Sequence, residues 1–222
     1  MVEALDGTRA RVSVALMTDA PPFRFGQEAA LVARAVPKRV REFATGRALA
    51  HELLDAVGAP DEPLLPGPRR EPLWPDGYSG SISHCDQLCA VAVAPRAELP
   101  LLGLDLEEDL PLPADVLTRV LTLPELDVLG ELPEPQRLRR ARRTFSAKEA
   151  FYKALAPRLD RVLAFEEVRI DWLDECAHGG AFEAHFTRAE RRPAGCPAYL
   201  GGRWWRAPGV VLTLVAPDAP GA

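Results

Sequence analysis

The sequence predicts a mixed α+β fold in which helices precede strands in each half of the chain. Three observations carry that expectation. Apolar residues recur at helical spacing over residues 27–57 and again over 136–155. Short strand-like runs follow each of these stretches, and the region after residue 168 reads as strands throughout. The 222 residues, 47% hydrophobic and 27% charged, have the balance of a folded chain long enough to bury a core. Disorder and a coiled coil are thereby excluded.

The elements follow in order. Residues 11–17 place Val12, Val14 and Leu16 on one side and predict a first strand, ended by Asp19-Ala20-Pro21-Pro22. Leu31, Val32 and Ala35, then Val40 and Phe43, then Leu49, Leu53 and Leu54 mark a helical face. Pro37 divides it into two helices, and Gly58 supplies the C-terminal stop. Residues 58–77 hold six prolines and form neither a helix nor a central strand. So long a connection either lines a site or runs as a surface loop.

Strands are expected over 80–83 and 88–94, joined by a short turn, and a buried strand over 101–107. A helical stretch covers 114–121, and Pro124, Pro133 and Pro135 interrupt the middle of the chain. The strongest helix runs over 136–155 and is closed by Pro157. Strands follow over 168–173, 182–187, 199–205 and 210–215, and residues 217–222 are expected to fray. No sequence repeat of 20–50 residues is present, although a structural duplication is compatible with the pattern.

Composition narrows the function classes. No apolar run reaches the roughly 18 residues of a membrane span. The start, Met1-Val2-Glu3-Ala4-Leu5-Asp6, lacks the basic-then-apolar order of a signal peptide, so a cytoplasmic chain without a membrane partner is expected. Cys85, Cys89, Cys176 and Cys196 form no Cys-x-x-Cys pair and read as small core residues or unpaired thiols. The net charge of −5 argues against general nucleic-acid binding. Locally, however, Arg137, Arg139, Arg140, Arg142, Arg143, Lys148, Lys153 and Arg158 face the single acid Glu149. That stretch offers a positive field to an anion, or is a solvated helix face.

Four segments carry groups able to do chemistry. In Gly103-Leu104-Asp105-Leu106-Glu107, residues two apart share one face of a strand, so Asp105 and Glu107 point together. Their repulsion is relieved by a shared hard cation such as Mg²⁺, or by water at an acidic strand end. In Phe145-Ser146-Ala147-Lys148-Glu149-Ala150-Phe151-Tyr152-Lys153, Glu149 and Lys153 stand four apart on a helix. They form either a surface ion pair or a further metal carboxylate with a phosphate-binding lysine. Ser83 and His84 end a strand before a turn and suit a phosphate, a nucleophile pair, or a loop histidine with a local hydrogen bond. Arg39, Arg41 and Arg47, on the helix that Pro37 opens, suit bidentate phosphate contacts or solubility.

In that order and spacing, these segments resemble the 4′-phosphopantetheinyl transferases of the larger surfactin- and enterobactin-synthetase type. The resemblance rests on Arg41-Glu42-Phe43 with Gly46-Arg47, on Trp74-Pro75 with Gly80-Ser81-Ile82-Ser83-His84-Cys85, on Gly103-x-Asp105-x-Glu107, and on residues 145–153. Phe145 stands where the family often has tryptophan, and the aromatic character is kept.

The resemblance implies a pseudo-two-fold α+β fold of two similar α/β halves, 1–104 and 105–222, with coenzyme A in the cleft between them. It implies transfer of the phosphopantetheine arm of coenzyme A to a serine of an apo acyl or peptidyl carrier protein, releasing adenosine 3′,5′-bisphosphate. Mg²⁺ (or Mn²⁺) would be held by Asp105, Glu107 and Glu149. Glu149, directly or through a water, would serve as base, and Lys153 would assist the leaving phosphate. Lys148 would hold another phosphate oxygen. Ser83 and His84 would meet the 3′-phosphate, helped by Arg39, Arg47 and Arg70. The Pro-rich segment becomes one wall of the nucleotide site, and the arginines before the catalytic helix a docking face for an acidic carrier. An internally doubled fold makes a monomer natural. Two other readings stay open: a Mg²⁺-dependent nucleotide phosphohydrolase, and a non-catalytic module that binds coenzyme A or a carrier.

Overall fold

The computed structural model describes residues 2–4, 9–17, 19–159 and 161–216. The first part of the chain forms β1 (Val2–Ala4), β2 (Arg11–Leu16), α1 (Gly26–Leu31), α2 (Pro37–Ala56), β3 (Tyr78–His84) and β4 (Leu88–Pro95). The second forms β5 (Gly103–Glu108), α3 (Leu117–Val120), α4 (Leu123–Gly130), α5 (Glu134–Leu155), β6 (Val168–Glu175), β7 (Gly179–Phe186), β8 (Tyr199–Ala207) and β9 (Val210–Val215). They build two antiparallel sheets, ordered β1-β2-β4-β3 and β5-β9-β8-β7-β6. The class is the mixed α+β expected.

Each sheet carries one long helix. α2 lays Leu49, Leu53 and Leu54 on Cys89, Val91 and Val93 of β4. α5 lays Ala147, Phe151 and Leu155 against Ile170, Phe182 and Trp204 of the second sheet. The other face of β4, Ala90, Ala92 and Ala94, packs with Leu104, Leu106, Leu212 and Leu214 from β5 and β9. β4 is therefore buried on both faces, which explains its unbroken apolar run. That third cluster joins the two parts of the chain into one body.

Local signals set the boundaries. Pro37 sits in the first turn of α2, where its missing N–H costs no helix bond. Gly58 follows α2 at φ +73°, a conformation that glycine adopts without a Cβ penalty. Residues 58–77 contain no helix, and their only strand-like feature is one bridge between Pro66 and Pro72. Two elements depart from expectation. β1 adds an edge strand beside β2. α4 forms where Pro124 suggested an interruption, because Pro124 lies in the first turn and Thr122 caps it. The Glu125 carboxylate accepts from the Thr122 backbone N–H at 2.7 Å. The expected fraying of 217–222 falls outside the described residues. The cysteines are unpaired; burial pushes the Cys89 thiol up to about 12.

The two sheets meet edge to edge along β3 and β5, which are not joined by a backbone ladder. Ser81 bridges them instead: its hydroxyl accepts from the Leu104 N–H at 2.9 Å and donates to the Leu104 carbonyl at 3.4 Å. Each strand thereby covers the other's open edge. Gly103 brings β5 hard against α5, since a Cβ there would run into the Ala150 carbonyl and lie 2.5 Å from the Ala154 nitrogen. Gly103→Ala is therefore expected to lower stability by at least about 2 kcal/mol through overpacking against rigid backbone. Urea unfolding of the variant beside the parent measures this; a loss below about 0.5 kcal/mol would show that β5 moves aside freely.

Candidate active site

The β3–β5 junction places Ser83 opposite Asp105, and α5 crosses above them. Asp105 is 4% exposed, and both of its oxygens are engaged. Oδ1 accepts from the Ser83 hydroxyl at 2.9 Å and from the Lys153 ammonium at 2.7 Å. Oδ2 accepts from the Ser146 hydroxyl at 2.8 Å, and Ser146 in turn lies 2.8 Å from Thr213 of β9. A buried carboxylate needs such partners, because stripping its hydration without compensation costs several kcal/mol. Lys153 also donates to Ser83 at 2.9 Å, which leaves one of its three N–H donors for another acceptor.

The surface ion pair between Glu149 and Lys153 is not formed; Lys153 turns to Asp105 instead. Among the described residues Glu149 has no hydrogen bond. Burial, with the Asp105 charge added, raises its pKa above the ordinary carboxylate value, and Lys153 only partly opposes this. Glu107 is raised by the same two causes and is held by Arg142 at 2.9 Å. Among the described residues, no three of the metal-ligating types converge closely enough to enclose an ion. The donor chemistry of Asp105, Glu107 and Glu149 nonetheless fits a hard divalent cation: three oxygen ligands, with the Asp105 charge raising the proton affinity of both glutamates.

Beside this cluster lies a cavity of about 530 Å³ between the two parts of the chain. Its walls come from the Pro-rich segment (Arg69, Arg70, Trp74), from β3, and from the end of α5 with Tyr152, Lys153 and Arg158. Gly80 admits the Trp74 ring, which a Cβ would strike at 2.5 Å. Arg69 donates to the Leu159 carbonyl and ties the Pro-rich wall to the segment after α5. At the other end of β3, His84 lies 3.5 Å from Arg39 and 3.6 Å from Glu42. Burial lowers the His84 pKa; Glu42 opposes that, while Arg39 and Lys153 add to it.

The structure thus gathers Ser83, Asp105 and Lys153 into one network, with Glu107 and Glu149 near enough to feel the Asp105 charge. Arg70 lines the cavity, and Arg39 meets His84. Two expected phosphate ligands lie elsewhere. Lys148 is 2% exposed and donates to Glu125 at 2.7 Å, to the Val120 carbonyl at 2.8 Å and to the Phe165 carbonyl at 3.0 Å. All three donors are engaged, so none remains for a phosphate. Helical geometry explains this, since adjacent residues of α5 point about 100° apart, and Lys148 turns toward Glu125 on a face different from that of Lys153. Arg47 is also turned inward. Its Nε donates to the Leu64 carbonyl at 3.1 Å, and its guanidinium covers Phe43 at 4.4 Å, drawn by the buried Glu28 at 3.8 Å.

The sequence expectations gave Ser146 and Thr213 no role and gave Arg142 only a share in the basic docking face. Ser146 stands inside the quoted motif. Thr213 carries no signal in its own strand. The basic face expected before the catalytic helix is largely neutralised: Arg139 pairs with Asp109, Arg140 with Glu175, Arg142 with Glu107, and Arg137 with Glu134.

A family model described as the 4′-phosphopantetheinyl transferase N-terminal domain matches residues 27–94, and one for the 4′-phosphopantetheinyl transferase superfamily matches 101–193. The chain is 40% identical to the 4′-phosphopantetheinyl transferase Svp of Streptomyces mobaraensis, over 91% of this chain and 84% of that protein. It is 37% identical to PptT of Mycobacterium tuberculosis, over 85% and 84%. It is likewise 37% identical to enterobactin synthase component D of Salmonella typhimurium, over 55% of this chain and 50% of that protein. The chain belongs to the 4′-phosphopantetheinyl transferase superfamily, and it is an enzyme of that transfer.

Removing Lys148 leaves Glu125 and two carbonyls buried without their donor. Lys148→Met is therefore expected to cost about 3–5 kcal/mol of stability. Lys153→Met, at a side chain 26% exposed and with Asp105 still held by the Ser83 and Ser146 hydroxyls, should cost less, about 1–3 kcal/mol. Thermal melting of the two variants side by side tests the separation. Equal and small losses would return Lys148 to the phosphate site.

Proposed function

We propose that this enzyme transfers the 4′-phosphopantetheine arm of coenzyme A to a serine hydroxyl of an apo acyl or peptidyl carrier protein. The observation that carries the residue assignment is the meeting of Asp105, Ser83 and Lys153, the last of which lines a cavity that Arg69 and Arg70 also line. Coenzyme A lies with its nucleotide toward that cavity and the His84–Arg39 corner, and its pyrophosphate beside Lys153. Asp105, Glu107 and Glu149 would hold Mg²⁺ or Mn²⁺, which supplies charge neutralisation and Lewis acidity at the pyrophosphate.

The chain's own residues account for the other needs. Glu149, with its raised proton affinity and no competing hydrogen bond, takes the proton of the carrier serine. The serine oxygen bonds to the phosphorus that carries pantetheine, and the bond to the nucleotide phosphate breaks. Adenosine 3′,5′-bisphosphate leaves with the electron pair. Lys153 holds its remaining donor toward that leaving phosphate and steadies the growing charge. Phe145, Phe151 and Tyr152 pack the same helix against the core and keep Glu149 and Lys153 in place. The boundary between the sheets falls between the end of β4 at Pro95 and the start of β5 at Gly103, just before the 104/105 division expected from the sequence. A single copy holds every residue named here, so a monomer suffices.

Glu149→Gln and Lys153→Met should each lower carrier modification by about 10²–10⁴-fold, as loss of a general base or acid does. Added Mg²⁺ should recover little in the first, and Mg²⁺ dependence should persist in the second. Carrier modification is read by mass spectrometry. Near-parent rates in both, or full turnover in a chelator, would overturn this assignment. Phosphate release from coenzyme A without a carrier would favour hydrolysis instead.

A second prediction concerns protons. A 3′-phosphate beside His84 must raise the imidazole pKa that burial has lowered. Binding should therefore take up protons at pH values between that lowered value and the higher one in the complex, and more for coenzyme A than for 3′-dephospho-coenzyme A. Calorimetry in buffers of different ionisation heat measures the uptake. Identical uptake for the two ligands, or uptake that survives His84→Asn, would separate His84 from the phosphate.

A further inference from the structure

A second cavity, of about 430 Å³, lies where the first half of α5 passes the ends of β6 and β8. It shares no lining residue with the large cavity and contains none of Asp105, Glu107, Glu149 or Lys153. Four arginines line it (Arg139, Arg140, Arg143 and Arg206) against two carboxylates, Asp109 and Glu175. Asp109 holds Arg206 at 2.6 Å and Arg139 at 3.3 Å, and Glu175 holds Arg140 at 2.5 Å. Arg143 is left over. Its ion pair, with Glu175, is stretched to 3.8 Å, and among the described residues it makes no hydrogen bond.

That guanidinium is fixed in place. It stacks over Trp204 at 4.3 Å and lies 5.6 Å from the Trp172 ring centre, with its side chain 19% exposed. Trp204, another wall of the cavity, is 1% exposed, and its ring Nε1–H has no acceptor among the described residues. A half-buried guanidinium without a hydrogen bond is a set of donors awaiting an acceptor. The excess of arginine over carboxylate calls for a ligand with two negative charges, and guanidinium forks suit phosphate oxygens.

From these features we infer that the cavity is a binding site for a small phosphomonoester dianion, with Arg143 as its central ligand. Arg139 and Arg206, 42% and 43% exposed, are held by Asp109, whereas Arg140 and Arg143 are recessed at 21% and 19%. A recessed free guanidinium favours a small molecule over the acidic helix of a carrier, which needs protruding charges. The inference does not depend on the roles proposed for Glu149 and Lys153.

Inorganic phosphate is the probe, titrated by calorimetry into the full chain saturated with coenzyme A, so that the large cavity is blocked. Chloride at equal ionic strength is the control. Phosphate should bind in the presence of coenzyme A and quench tryptophan fluorescence. Arg143→Gln should weaken it at least tenfold. Glu175→Gln should tighten it, because one opposing charge is removed, and a purely structural arginine cluster would not respond in that direction. Both variants are first checked by thermal melting; should Arg143→Gln fail to fold, Arg206→Gln takes its place with the same expected weakening. No phosphate binding beyond that of chloride, or equal affinity in parent and variants, would overturn the inference. So would displacement of the phosphate by an apo carrier protein, which would make the cavity a docking face.

Discussion

The active cluster depends on how closely β5 can lie beneath α5. Gly103 makes that approach possible, and everything two residues further along the strand follows from it. Asp105 comes within 2.8 Å of Ser146 on the helix and 2.7 Å of Lys153 one helical stretch later. A side chain at 103 would lift the helix and separate these groups. The carboxylate is then fixed from three directions: by β3 through Ser83, by α5 through Ser146 and Lys153, and by β9 through the Ser146–Thr213 contact. Pre-organisation of this kind is what charge-stabilising chemistry requires, because the groups need not reorganise as charge develops.

Around this point, burial and charge act against each other in a consistent way. Burial raises Glu107 and Glu149, and the Asp105 charge raises both further. The same burial lowers His84 and Lys148. Lys148 remains tolerable because Glu125 and two carbonyls surround it, whereas Glu149 has no such company. The difference between a structural lysine and a reactive carboxylate one residue apart is thus a difference of partners, set by which face of α5 each occupies.

Much of this was legible in the sequence. The helical periodicity over 136–155 located α5, and Pro37 and Gly58 marked the ends of α2. The alternation of Leu104, Asp105, Leu106 and Glu107 announced a strand with acids on one face, and the cluster forms there. α4 was hidden because Pro124 looks like a breaker until Thr122 and Glu125 are seen as its cap. Arg47 and Lys148 misled because a motif gives residue types without stating which way a side chain turns. Glu28 and Glu125, far off in sequence, decided that. Thr213 had no signal at all, since its role exists only once β9 lies beside β5.

The junction between β3 and β5 has a mechanical consequence. Strands joined by a backbone ladder are locked in steps of two residues, since any smaller slip breaks every bond and inverts the faces. Here two serine hydroxyls span the gap instead, Ser81 at Leu104 and Ser83 at Asp105. With no ladder to impose a two-residue step, the relative placement of the sheets is set by side-chain packing, the seating of β4 on Leu104, Leu106, Leu212 and Leu214, rather than by strand register.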